Sequence, residues 1–189
     1  MELLEMEMVA GYAQRLGDRP DIAGRRIEAI GFQVGQQLAE RYTKDRNRFT
    51  DLIEIIKFVC KDFWAQVFRK QVDNLRTNHR GVFVLQDNKF RWFTRLSADP
   101  ASLPTATAGM LPGPSSSSSG ASPPRPPGAD LSITTPHDYN KVTAASLAQF
   151  LYFPCGIIRG ALTSLGVPCT VSGEIVSLPT CSFTVCIKA

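Results

Sequence analysis

Residues 143–187 read TAASLAQFLYFPCGIIRGALTSLGVPCTVSGEIVSLPTCSFTVCI, and a change of period inside this stretch decides the fold. Over 143–165, Leu147, Phe150, Leu151, Ile158, Leu162 and Leu165 recur at helical spacing. Pro154 inside that pattern predicts a kink, because proline removes a helical hydrogen bond and crowds the preceding turn. Gly166 is placed to end the helix. Beyond it the period falls to two. Residues 167–171 predict a short strand. In the next strand Cys181, Phe183, Val185 and Ile187 alternate with Ser182, Thr184 and Cys186, as a sheet with one covered face requires.

Upstream, the period changes in the same way at Gly81. Val82-Phe83-Val84-Leu85 and Phe90-Arg91-Trp92-Phe93 flank Asp87-Asn88, which reads as a tight hairpin turn. Two hairpins separated by a long helix imply an α+β fold, with helices packed on one face of a four-stranded antiparallel sheet. Three more helices are expected. Residues 2–16 place Leu3, Leu4, Met8 and Tyr12 at helical spacing, with Gly17 and Pro20 as stops. Residues 22–42, capped by Asp21, carry the stripe Ile27, Ile30, Val34, Leu38 and Tyr42. Residues 52–75 carry the broadest stripe, with Leu52, Ile53, Ile56, Val59, Cys60, Phe63, Trp64, Val67 and Phe68, which predicts a buried central helix, continuous or bent near Cys60. Gly31 and Gly35 share one helix face. Each costs about 1 kcal/mol relative to alanine, so another backbone is expected to come close there, from this chain or from a partner.

From 97 to 137 the periodicity vanishes. Ser115 to Ser119 and Pro123-Pro124-Arg125-Pro126-Pro127 occupy it with few charges, and such a tract buries too little apolar surface to offset chain entropy. It is expected to be a disordered insertion in a single domain spanning 1–189. Its proline–arginine piece fits a polyproline ligand, although a spacer is the simpler reading. The 189 residues are 43% hydrophobic and 20% charged, with a net charge of +4. Basic residues interleave with acidic ones, as in Lys44-Asp45-Arg46, which argues against a nucleic-acid face. Lys89, Arg91 and Arg95 alternating with Phe90, Trp92 and Phe93 leave RNA stacking as a minor alternative.

Little in the chain suggests catalysis. The two histidines, His79 and His137, stand beside no nucleophile motif, and phosphate-loop, dinucleotide and hydrolase-elbow patterns are missing from the sequence. The cysteines, Cys60, Cys155, Cys169, Cys181 and Cys186, are odd in number and form no Cys-x-x-Cys, so free thiols are expected rather than disulfides or a metal site. No apolar run reaches the roughly 20 residues of a membrane span, and residues 1–8 lack the basic start of a secretory signal. A protein-docking role without cofactor is the expectation. A pocket for an acyl chain or other apolar ligand, under the phenylalanine-rich helix, is the alternative.

Three segments carry a resemblance. Gly31-Phe32-Gln33-Val34-Gly35-Gln36-Gln37-Leu38 resembles the Gly-Phe-x-x-Gly-x-x-Leu signature of the small subunits of the transport protein particle (TRAPP). Cys155-Gly156-Ile157-Ile158-Arg159-Gly160-Ala161-Leu162 resembles their Cys-Gly-x-x-Arg-Gly-Ala-Leu signature. Leu75-Arg76-Thr77-Asn78-His79 and Val84-Leu85-Gln86-Asp87-Asn88 are similar to the subunit-six branch. The resemblance implies a non-catalytic, cytoplasmic scaffold subunit of a vesicle-tethering complex, peripheral at the cis-Golgi and endoplasmic reticulum. It implies heterodimers with paralogous small subunits through the first two helices, and contact with a Rab GTPase only through the assembled complex, which promotes nucleotide exchange. Leu3, Leu4, Met8, Tyr12, Ile27, Ile30 and Val34 are the expected interface residues. Gly156 and Gly160 are expected to let the last helix approach Gly31 and Gly35, and Arg159 is expected to need an ion-pair partner. One paralogue carries an acylated cysteine just before its third helix. Residues 44–49 here contain no cysteine, so acylation does not transfer. The 97–137 tract is an insertion relative to the family's short loop.

Overall fold

A computed structural model describes residues 2–16, 19–78, 80–94, 97–98, 141–142 and 144–188. Almost all of the expected insertion lies outside the described residues, as do His79 and His137.

Helix α1 spans Glu2–Leu16 and α2 spans Pro20–Thr43. Pro20 opens α2 rather than merely ending α1, because the first helical turn needs no N–H from it and its φ is already helical. Helix α3, Leu52–Phe58, runs through a π-helical turn, Val59–Phe63, into α4, Trp64–Phe68. Cys60 lies within this π-helical turn, at the place where the sequence left a continuous or a bent helix open. The expected central helix over 52–75 stops short, however. Arg69 takes φ 65 and ψ 22, a left-handed cap, and the chain turns into strand β1, Asn74–Thr77.

Strand β2 is Val82–Asp87 and pairs antiparallel with β1, Leu75 opposite Leu85. This hairpin replaces the expected one. Its turn is held by Asn78, whose Oδ1 accepts hydrogen bonds from the N–H groups of Arg80 and Val82, and by Gly81 at φ 83. Residues 90–93 form no strand. Arg91–Phe93 is a 3₁₀ turn, because Trp92 and Phe93, adjacent in sequence, are both buried, and a strand would send them to opposite faces. The aromatic rings proposed for RNA stacking are therefore spent on the core, which removes that alternative. Two-residue strands β3, Ser97–Ala98, and β4, Lys141–Val142, pair in parallel.

Helix α5 spans Ala144–Ser164 with Pro154 inside it. Strands β5, Cys169–Ser177, and β6, Thr180–Ile187, follow. The main sheet is antiparallel, in the order β1-β2-β6-β5. Along β6 the expected alternation holds, with Cys181, Phe183 and Val185 buried. They share a face with Asp87, Leu85 and Phe83 across the ladder, and α5 packs on the same sheet. A Cβ at Gly173 would meet Cys155 Sγ at 3.1 Å and Leu151 Cδ2 at 3.2 Å.

Between helices and sheet lies an aromatic core. Phe63, Trp64, Phe68, Phe90, Phe93, Phe153 and Phe183 are each under 2% exposed. Trp64 and Phe68 lie 4.5 Å apart between centroids, Phe90 and Phe93 4.9 Å, and Trp64 and Phe183 5.5 Å. The expected stripe fails only in its first turn, where Leu52 and Ile53 are exposed.

Candidate functional site

Helices α2 and α5 cross through glycines. A Cβ on Gly31 would run into the Phe153 carbonyl oxygen, and one on Gly35 into that of Ile157. From the other side, one on Gly156 would run into the Glu28 carbonyl and one on Gly160 into that of Phe32. Ordinary contact begins at about 3.4 Å, and all four would fall far inside it. Both signature glycine pairs thus face each other within one chain. The backbone expected near Gly31 and Gly35 belongs to this chain's own α5, and Gly31 and Gly35 are buried by it.

Arg159 sits between Gly156 and Gly160 on α5. Its Nε lies 3.1 Å from Glu28 Oε1 on α2, a charge contact rather than an aligned hydrogen bond. Its guanidinium also stands 4.7 Å from the centroid of the Phe32 ring. The side chain remains 34% exposed, so screening keeps the ion pair modest, and the cation–π contact adds a similar amount. We expect Arg159→Met to lower unfolding stability by about 1 kcal/mol, read by urea denaturation. An unchanged midpoint would mean that neither contact matters to the crossing.

The expected docking residues divide in two. In α1, Glu5 and Val9 turn inward at 1% and 5% exposure, so the helix presents Leu3 and Leu4 outward at 69% and 54%. Met8 and Tyr12 are half-buried at the flank of the core. In α2, Ile30 and Val34 are half-buried. Ile27 is fully buried and belongs to the core, because it shares the inner face of α2 with Ala23, Gly31 and Ala39. Sequence periodicity marked it as apolar without saying which helix would cover it. Ile22, 36% exposed, is a further outward apolar residue of α2 and was missed, since as the first apolar residue of a predicted helix it looked like a boundary.

A second feature escaped the sequence. Asp87 is fully buried and accepts hydrogen bonds from Trp64 Nε1 at 3.0 Å, Lys70 Nζ at 2.7 Å and the Lys89 N–H at 3.0 Å. Lys70 also bonds Asp73, whose carboxylate accepts the Asn88 N–H at 2.7 Å. Burial pulls the Lys70 pKa down, but its hydrogen bonds and charge contacts with Asp73 and Asp87 outweigh this and hold it above the ordinary lysine value. Burial pushes Asp73 up, and the Lys70 and Asn88 hydrogen bonds with the nearby Lys charges more than reverse it. The network ties the end of α4 to the end of β2.

The described cysteines are free. Burial pushes the thiols of Cys60 and Cys155 up to about 12, so neither is a nucleophile at neutral pH. Thr43, Arg46, Asn47, Arg48 and Phe49, with residues 164–166, line a cleft of about 430 Å³, and Arg46 also pairs with Asp62 at 2.7 Å. The interior under the central helix, where an acyl chain would have to lie, is occupied by the aromatic rings described above. No helix among the described residues is long and apolar enough to cross a membrane.

The comparisons with known proteins agree with this geometry. A family model described as "Transport protein particle (TRAPP) component" matches residues 1–116 and 124–188. Trafficking protein particle complex subunit 6B from Homo sapiens is 39% identical over 189 residues, covering 98% of this chain and 94% of that protein. Subunit 6A from Homo sapiens is 35% identical over 191 residues, covering 98% and 94%. A crystal structure of a trafficking protein particle complex subunit 3 from Naegleria fowleri, covalently bound to palmitic acid, superposes with a TM-score of 0.58 at 14% identity, covering 100% of this chain and 95% of that one, which is a likeness of fold. Signature glycines at the helix crossing, a four-stranded sheet of two hairpins and near-full-length relatives together place the chain in the TRAPP component family, in its subunit-six branch.

Proposed function

We propose that this protein is a non-catalytic scaffold subunit of a TRAPP-type tethering complex. It forms a single domain that pairs with a paralogous small subunit through α1 and the outward side of α2. The observation that carries this is the turn of α1: its core face is Glu5 and Val9, which leaves Leu3 and Leu4 together in solvent. Exposed leucines side by side on a helix whose other face is buried are the usual mark of a surface that another protein covers. Leu3, Leu4, Met8, Tyr12, Ile30 and Val34 are the proposed contacts, and Ile27 supports them from beneath.

The subunit-six relatives carry complex membership in their names, which supports assembly with other TRAPP subunits. In this reading the protein works on the cytoplasmic side of the endoplasmic reticulum and cis-Golgi. It meets membranes and a Rab GTPase through the complex, and supports nucleotide exchange by holding neighbouring subunits in place. It binds no nucleic acid and needs no cofactor.

The test is affinity purification of the tagged chain at physiological salt, with mass spectrometry of what accompanies it. Stoichiometric small TRAPP subunits are expected with the unmodified chain. They should be lost from a Leu3→Glu, Leu4→Glu variant that keeps its melting temperature, since both side chains already sit in water. A variant that retains its partners would place the interface elsewhere.

A further inference from the structure

A cleft of about 360 Å³ opens between α2, α4 and the 3₁₀ turn, within the roughly 300–1,000 Å³ of small-ligand sites. Leu38, Tyr42, Val67 and Trp92 form its apolar lining, and Arg69 and Arg91 stand on the same cleft. We propose that this cleft binds a compact anion carried on an apolar body, a phosphate monoester or a carboxylate. This goes beyond assembly and does not depend on it.

Two independent observations support the assignment. First, Arg69 and Arg91 both line this one concavity, both are exposed, and neither has a carboxylate partner among the described residues. Guanidinium presents a planar fork of donors matched to phosphate and carboxylate oxygens. Beside an apolar lining, it selects a ligand with both an anionic head and an apolar remainder. Second, Arg69 has the one positive φ of any non-glycine residue among those described. Its position caps α4, with its N–H bonded to the Ala65 carbonyl, a place where glycine is the unstrained choice. A residue kept in a strained conformation points to use of its side chain. The cap needs only a backbone, and the cleft needs the guanidinium.

The probe is phenyl phosphate, titrated into the full-length chain at physiological salt and followed by the two tryptophan indole N–H signals in NMR. The Trp92 signal should shift, and that of Trp64, buried against Asp87, should hold. Arg69→Gly should leave the melting temperature unchanged or higher, because glycine adopts this φ freely, while weakening binding by about tenfold or more; Arg91→Gln should weaken it by a similar factor. Phenol and inorganic phosphate should each bind far more weakly than the combined probe. A still Trp92 signal would overturn the assignment, as would wild-type affinity in both variants, or inorganic phosphate alone matching phenyl phosphate. Sedimentation with phosphatidylcholine vesicles, with and without phosphatidic acid, then identifies the source. Arginine-dependent binding that phenyl phosphate competes away assigns the anion to a lipid headgroup. Phenyl phosphate binding without vesicle binding assigns it to a soluble ligand.

Discussion

Gly160→Ala is expected to lower the melting temperature by about 5–10 °C, although alanine is the better helix former. In an open helix the change would gain about 1 kcal/mol. Here the new methyl would press into the Phe32 carbonyl oxygen, with the Phe32 carbonyl carbon and Cα at 2.9 and 3.0 Å behind it. These are backbone atoms of another helix, and no rotamer change relieves the collision. Overpacking of this kind costs up to about 3 kcal/mol or more when backbones must separate, so the collision outweighs the propensity. The α2–α5 crossing would widen, and the Arg159–Glu28 contact would lengthen with it. Gly11→Ala in α1 is the control. Nothing stands within 4 Å of its Cβ position, and we expect a gain of about 0.5–1 kcal/mol there. Parallel thermal melts of the two variants decide the matter; equal shifts would mean that the glycines answer to helix propensity and not to the crossing.

Lys70→Met is expected to cost about 3–5 kcal/mol, because it strands the Asp87 carboxylate, fully buried, without its counter-charge. Trp64 and the Lys89 amide still donate to it, but neither supplies charge. Adding Asp87→Leu to Lys70→Met should recover much of the loss, since replacing both members of a buried pair by apolar side chains is often close to neutral. If the single variant unfolds at the wild-type denaturant midpoint, the pair carries no weight in the fold.

The pH dependence follows from the same groups. Asp73 sits below its ordinary value in the folded chain, so its contribution is fully present above the unfolded carboxylate pKa of about 3.9 and is lost as pH falls through the folded value. Lys70 sits above its ordinary value, so its contribution is present below about 10.4 and is lost as pH rises through the folded value. Wild-type stability should therefore decline at both ends, and Lys70→Met should flatten both declines. Melting curves across pH would show this.

Much of this protein is legible in residue order alone. The α+β class, the four-stranded sheet, the alternation of Cys181, Phe183 and Val185, and the two glycine pairs follow from spacing, because period and backbone permissiveness are local properties. The same logic failed over residues 70–93. The helical reading ran on to Leu75, while the helix stops at Phe68 and is capped by Arg69, a residue that carries no stop signal. Asp87-Asn88 looked like a turn between strands, whereas Asn78 and Gly81, equally good turn residues, made the hairpin. Local patterns nominate several turns, and only the pairing of β2 with both β1 and β6 selects among them.

Interface and core were likewise separable only in three dimensions. Leu4 and Ile27 look alike as apolar positions on amphipathic helices, yet one lies in water and the other is fully buried. Spacing says which residues share a face, and tertiary packing says what covers it. The sequence by itself determined the α+β class, the family and the close approach of the last helix to α2 at Gly31, Gly35, Gly156 and Gly160. Tertiary structure alone decided that Glu28 answers Arg159, and that Asp87 lies buried beside Trp64 and Lys70. Each of those contacts joins residues far apart along the chain, and their pairing is set by the packing of helices and strands, which no local pattern encodes.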